Sequence, residues 1–521
     1  MRIWIAALAL LLTPAAARAD WFESSSAHFV VYAEGSERDV RRFSEQLERF
    51  HAAMAIVTGL ETEPPSPSNR VTVFMVRNQR QIERLAGGRN IGGFYIPRAG
   101  GSVAFVPRVE ARSGQPDYSM IALLHEYAHH FLLSNSRFPS PRWFGEGGAE
   151  FFASAEFTSE GGVSVGMPAM HRGWELALAR NVKADELVDT EASEKRSRGN
   201  SYDAFYGKSW LLYHYLVFTP ERRGQLNAYL RAMAEGRTSR QAAEDVFGDL
   251  DRLERELQRY LDQRTMLSMR FRPDQLEIAP ITLRRVSEGE AAMMPVRVRS
   301  RRGVTREEAL ELLGDARKVA ARFPRDAAVL AALAEAEFDA GNDAEAIAAA
   351  DGALALDAAQ VNAYVQKGFA LFRRAAATDG EERRGAYRQA VEPFVALNQL
   401  ENDHPLPLVY YFRSFAESGA RPPEQAVLGL VRATELAPFD LGLRINLAAY
   451  QIETDDRSAA RANLVPVAYN PHGGPMAEAA RQVVERIDAG GETPVAELMA
   501  LLRPAPSEAV SPPEAGSGAA R

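Results

Sequence analysis

The sequence predicts an α+β domain followed by an all-α array of helical repeats. In the first half, short β-rich runs alternate with stretches of helical period. From about Val304 the chain turns Ala-rich and nearly all helical, with helix-pair ends at a regular interval. A third observation bears on function. The stretch "LLHEYAHHFLL" (Leu123–Leu133) places three of only nine histidines within six residues of an apolar run. Buried imidazoles and carboxylates are costly unless something pairs with them.

At 521 residues, two or three domains are expected. Residues 1–19 read as a secretory signal, with Arg2, an apolar run from Ile3 to Leu12, and Ala17-Arg18-Ala19 as a small-x-small cleavage site. That run is too short to be a permanent anchor. The mature chain is therefore expected to be periplasmic or secreted in a bacterium, with no transmembrane anchor. His28–Ala33 and Val71–Val76 are strand candidates flanking an amphipathic helix from Ser36 to Ile56. Gly100-Gly101 supplies a hairpin turn. Pro107 marks Ser102–Pro107 as an edge strand able to pair with an extended substrate. A helix from Asp117 to about Leu133 is broken by "PSPRW", and a second runs from about Trp143 to Ala155. Further helices over "AFYGKSWLLYHYLVF" and "DLDRLERELQRYLDQR" complete a domain spanning 20–265. The alternating, Arg-rich runs "ITLRRVS" and "PVRVRS" make 266–303 an extended connector or small sheet.

Over 304–490, helix-pair ends fall at Pro324, Ala358, Pro405, Pro438 and Pro471, at intervals of 34, 47, 33 and 33 residues. A period of about 34 is that of tetratricopeptide repeats. The long interval holds an inserted loop, "TDGEERRGAY". Small residues (Ala334, Gly341, Ala346, Ala353, Gly368) sit where paired helices approach; a generic helical bundle is the competing reading. Residues 491–521 read as a short helix and a disordered Pro/Ser/Gly/Ala-rich tail. The charge of −8 with no basic run argues against a nucleic-acid partner. The lack of cysteine excludes disulfides, thiol catalysis and Cys-ligated zinc.

His125-Glu126-Tyr127-Ala128-His129 is H-E-x-x-H. On a helix, positions i and i+4 share a face, so both imidazoles can bind one ion, and Glu126 can reach a water on it. Imidazole pairs suit Zn²⁺, and a catalytic zinc needs a third protein ligand. Glu146, at the start of the next helix in "WFGEGGAEFFA", is the candidate. Glu150, one turn on, would accept from a ligand imidazole and fix its tautomer. Gly147, Gly148 and Ala149 keep that helix slim for close approach to the histidine helix. His130 points about 100° away from the ligand face and reads as packing or support; His214 reads as a core or surface residue.

H-E-x-x-H followed by Trp-x-x-Glu-Gly-x-Ala-Glu resembles the gluzincin metallopeptidases, of the thermolysin and aminopeptidase type. Within them the chain looks closest to peptidase-MA-like proteins with tetratricopeptide repeats, over roughly residues 28–265. The resemblance implies a zincin-like fold for the first domain, zinc held by His125, His129 and Glu146, and Glu126 as general base. It departs from the pattern in two places: 16 residues separate His129 from Glu146, slightly fewer than is common, and the usual Asn before the ligand Glu is Gly145. "FYGKSW" (Phe205–Trp210) is similar to a Tyr-x-Lys-Gly segment, with Ser209 for the Gly. It implies Tyr206 as donor to the oxyanion, with Tyr202 as the rival. The aminopeptidase segment Gly-x-Met-Glu-Asn is missing, so nothing favours exopeptidase action.

These features predict an exported zinc peptidase acting on protein or peptide, with an array that recruits substrate or a protein partner. Two other readings stand beside it. One is an interaction scaffold with a catalytically silent protease-like domain; the other is a cell-wall peptide amidase.

Overall fold

Side-chain alternation sets the first layer of the structure. In β1 (Trp21–Ser25), β2 (Phe29–Glu34) and β3 (Val71–Val76), alternate residues go to opposite faces. Phe29, Val31, Val71, Val73 and Met75 take one face, and Tyr32, Phe74 and Val76 the other. With β4 (Phe94–Ile96), β5 (Val103–Pro107) and a late strand, β9 (Thr282–Arg285), they form a six-stranded sheet ordered β4-β5-β3-β2-β1-β9. The β2/β3 and β3/β5 pairs are parallel and the rest antiparallel. β6 (Glu156–Phe157), β7 (Val163–Val165) and β8 (Met269–Phe271) make a second, three-stranded sheet. The computed structural model describes residues 20–60, 63–89, 91–109, 113–135, 141–189, 203–470 and 474–491. The expected signal at 1–19, Tyr202, and nearly all of the expected helix and tail at 491–521 lie outside them.

On the first face pack α1 (Glu37–Thr58), capped by Ser36, and α3 (Tyr118–Asn135). On the other lies α2 (Gln79–Ala86). The helix α4 (Arg142–Ala153) crosses α3 and is buried along nearly its whole length. Beyond it come α5 (Gly173–Leu178), α6 (Ala184–Val188), α7 (Phe205–Phe218), α8 (Gln225–Ala234), α9 (Ser239–Phe247) and α10 (Leu250–Leu261).

One expectation fails here and another holds only in part. Ser102–Pro107 is not an edge: β5 lies between β4 and β3, and β4 is the free edge on that side. Pro107 is tolerated because β4 pairs only Val103–Phe105, so the end of β5 is locally an edge on that side. The reading of 266–303 as an extended connector or small sheet fits only its first part, up to Arg285. Its first strands complete the two sheets, and "PVRVRS" lies within helix α11 (Glu288–Arg302). The Val/Arg alternation misleads because α11 is buried on two sides. Met294 and Val298 face the sheet while Met293 and Val296 face the helices that follow. The overlooked signal is the capping box of Ser287 with Glu290.

Helix pairs then stack in series: α11 with α12 (Arg306–Arg322), α13 (Ala327–Asp339) with α14 (Asp343–Leu356), and α15 (Val361–Ala376) with the broken helix α16 (Glu382–Ala390) and α17 (Glu392–Leu400). α18 (Pro405–Ala416) pairs with α19 (Glu424–Leu436), and α20 (Leu441–Glu453) with α21 (Arg457–Ala468); α22 (Pro475–Asp488) ends the run. Ala and Gly seat the pairs: Ala334, Ala353 and Ala363 are fully enclosed, and a Cβ on Gly368 would meet the Phe394 ring at 2.3 Å.

This array is fixed against the first domain. Asp440 caps α20 through Oδ1 and accepts from the Ala99 amide through Oδ2 at 2.9 Å. Glu401 accepts from the Ser68 amide and hydroxyl at 2.9 and 2.8 Å. Gly100, at φ +70°, lies so close to His404 that a Cβ there would sit 2.6 Å from its ring. Phe439 also packs on His130, so the array braces the back of the histidine helix.

Candidate metal centre

The site is built where α4 crosses α3. On α3 the Nε2 atoms of His125 and His129 are 3.1 Å apart, and Glu146 Oε2 on α4 lies 3.3 Å from each. A tetrahedral ion with bonds of ~2.0–2.1 Å would hold its ligand atoms about 3.3–3.4 Å apart. Two imidazole nitrogens and one carboxylate oxygen in a triangle of that size fit zinc and leave one side open. Among the described residues these three form a metal-competent group.

Electrostatics support the same use. Glu146 is 1% exposed. Burial alone would favour its neutral form, but the His129 and His125 imidazoles hold it well below the usual carboxylate range. Burial likewise opposes charge on His125, yet hydrogen bonds to Glu146 and Glu150, and their charges, raise it to about 10. The cluster thus gathers buried negative charge that needs positive charge beside it, which a cation would supply.

Glu150 lies beneath. Its Oε1 is 3.2 Å from His125 Nδ1 and accepts from Arg172 Nη2 at 2.6 Å, while Oε2 is 2.6 Å from His171 Nε2. Tyr206, on α7, packs its ring against the guanidiniums of Arg172 and Arg142, at 4.7 and 5.7 Å. Burial, then the charge of Glu146, pushes its phenol up, so it stays a hydrogen-bond donor at neutral pH. Glu126 is half-buried and bonds no side chain among the described residues.

The remaining candidates are accounted for by packing. His130 accepts from or donates to the Tyr95 hydroxyl at 2.6 Å, with burial lowering its pKa to about 3. His214 is enclosed, bonding the Tyr260 hydroxyl and the Gly166 and Leu267 carbonyls. Lys208 of "FYGKSW" is 2% exposed and pairs with Glu254 at 2.9 Å.

Sequence reasoning missed His171, Arg172 and Arg142. A signal existed for the first two: "MHRGWE" spends one of nine histidines beside an Arg and a Glu. No fixed spacing links that run to Glu150, 21 residues earlier.

The slim part of α4 serves more than the histidine helix. A Cβ on Gly147 would stand 2.4 Å from the Ser209 carbonyl oxygen on α7, whereas one on Gly148 would meet Leu132 of α3 at 3.1 Å and Tyr213 at 3.2 Å. Gly147→Ala is therefore expected to push α7 from α4 and cost about 1–3 kcal/mol, read as a lower denaturation midpoint. Glu146, the preceding residue, shifts with it, so the His125/His129/Glu146 triangle is disturbed in the same variant.

No family model and no curated protein matches the chain. Among solved structures, TTC0263, a thermophilic TPR protein of Thermus thermophilus, aligns at 16% identity with a TM-score of 0.31, covering 39% of this chain and 100% of that one. MamA aligns at 14% identity with a TM-score of 0.26, covering 39% and 98%.

Proposed function

We propose that the chain is an exported zinc-dependent peptidase whose helical array holds or recruits protein. The observation carrying this reading is the His125/His129/Glu146 triangle, set beside a half-buried Glu126 that bonds no described side chain. Bound zinc would supply Lewis acidity and a nucleophile at neutral pH. Glu126 takes a proton from the attacking water and delivers it to the leaving amine. Tyr206 donates its O–H to the developing oxyanion, and Glu150 keeps the His125 ring in its ligating tautomer.

A second reading, a protein-interaction scaffold with a silent metal domain, is favoured by the array itself. Five successive helix pairs stack in series, and stacked pairs present an extended surface to protein partners. The test is zinc content per purified chain, followed by hydrolysis of unfolded protein and of cell-wall peptide fragments. About one zinc and cleavage of protein support the peptidase; cleavage of wall fragments alone makes it an amidase. One zinc with neither activity leaves the scaffold, and absence of zinc defeats the metal reading.

A further inference from the structure

The three most exposed large apolar side chains among the described residues lie on one segment. They are Met170 at 66%, Trp174 at 73% and Leu178 at 73%. The segment is a 3₁₀ turn, Met170–Arg172, running into α5. Trp174 and Leu178, four residues apart on α5, share one helical face, and Met170 is exposed in the turn that leads into it. Such a stripe costs solubility and calls for something to cover it.

Its position indicates what does so. The adjoining face of the same segment carries His171 and Arg172, both locked on Glu150, and through Glu150 on His125. Leu176 seals the rest of α5 against α7, where a Cβ on Gly207 would touch it at 2.6 Å. The stripe is therefore anchored rigidly to the metal centre. Another exposed aromatic, Tyr118 at 51%, stands on the first turn of α3, within electrostatic reach of Arg172 and Glu150. Its ring lies against Gly92, next to the free edge strand β4. Apolar surface thus adjoins the centre from two elements. A lipid surface is the lesser fit, since the segment's basic residues, His171 and Arg172, both face inward onto Glu150 and so do not serve anionic headgroups.

We propose that Met170, Trp174 and Leu178 form a shelf that takes large apolar side chains of an extended polypeptide lying across the His125/His129/Glu146 cluster. The substrate class is unfolded protein, whose apolar residues are exposed, rather than a folded surface or a sugar-rich wall fragment. The assignment rests on the peptidase reading for its consequence in catalysis, but the binding step stands without it.

The test uses the full chain carrying Glu126→Gln, titrated with a reduced, carboxymethylated and permanently unfolded protein while tryptophan emission is followed. Saturable binding with a blue shift is expected. Trp174→Ser should weaken it by about tenfold or more, the scale of burying one large side chain, and Trp174→Phe should recover most of it. In the wild-type background the loss should fall on KM rather than kcat. Equal affinity for the Trp174→Ser and parent proteins overturns the shelf. So does binding to phosphatidylglycerol vesicles with none to unfolded protein, which would make the stripe a membrane-interfacial element. If no form hydrolyses protein but Trp174→Ser loses the polypeptide, the peptidase reading falls and the shelf stands. If hydrolysis needs Glu126 but KM ignores Trp174, the reverse holds.

Discussion

On the proposed peptidase reading, Glu126→Gln protein is expected to bind zinc as the parent does and to lose turnover by roughly 10²–10⁴-fold, the range a positioned general base supplies. The substitution keeps size and shape and removes only the ability to accept a proton. Glu126 makes no structural bond among the described residues, so thermal stability should change little. The measurement pairs metal analysis with turnover on unfolded protein. Unchanged turnover would remove Glu126 from the chemistry. Loss of metal together with turnover would show that it holds the site rather than acts in it.

The second large effect lies at a residue no motif marks. Arg172→Ala should destabilise the protein by about 3–5 kcal/mol, because it leaves the Glu150 carboxylate buried at 1% exposure without its guanidinium. The charge of Arg172 follows burial among the influences on Glu150 and does most to keep that carboxylate ionised. The same change removes the flat partner of the Tyr206 ring. It also frees Glu150, so on the proposed zinc reading metal affinity should fall by about 10–100-fold, as for partners of metal-bound histidines elsewhere. Chemical denaturation and a competitive zinc titration read the two effects separately. Arg172→Lys, which keeps the charge but not the planar fork, should recover stability more than affinity.

Local patterns made much of this molecule legible. The short β-rich runs at His28–Ala33 and Val71–Val76 became β2 and β3, and Gly100-Gly101 became the turn between β4 and β5. The proline breaks at Pro324, Pro405 and Pro438 fall at junctions between helices of the array, and Pro471 lies outside the described residues. Residues that one helix brings together, such as His125 and His129, can be read from spacing because helical geometry is fixed. Strand order was less accessible: Pro107 suggested an edge, but neighbours in a sheet are chosen by packing of the whole layer, not by a residue at one strand's end. For α11, burial on two faces replaced the helical period with an alternation that mimics a strand.

The sequence by itself determined which residues have the chemistry to hold an ion: two imidazoles four residues apart, and a carboxylate on the next helix. Only the tertiary structure decided how they are held. The contact of α4 with α3 brings Glu146 Oε2 to 3.3 Å from both imidazoles, and the segment after Met167 returns to place His171 and Arg172 on Glu150. Those contacts join residues 17 to 22 positions apart through loops with no period to read. Buried charges need partners wherever the fold can supply them, and that supply is a property of three dimensions rather than of spacing.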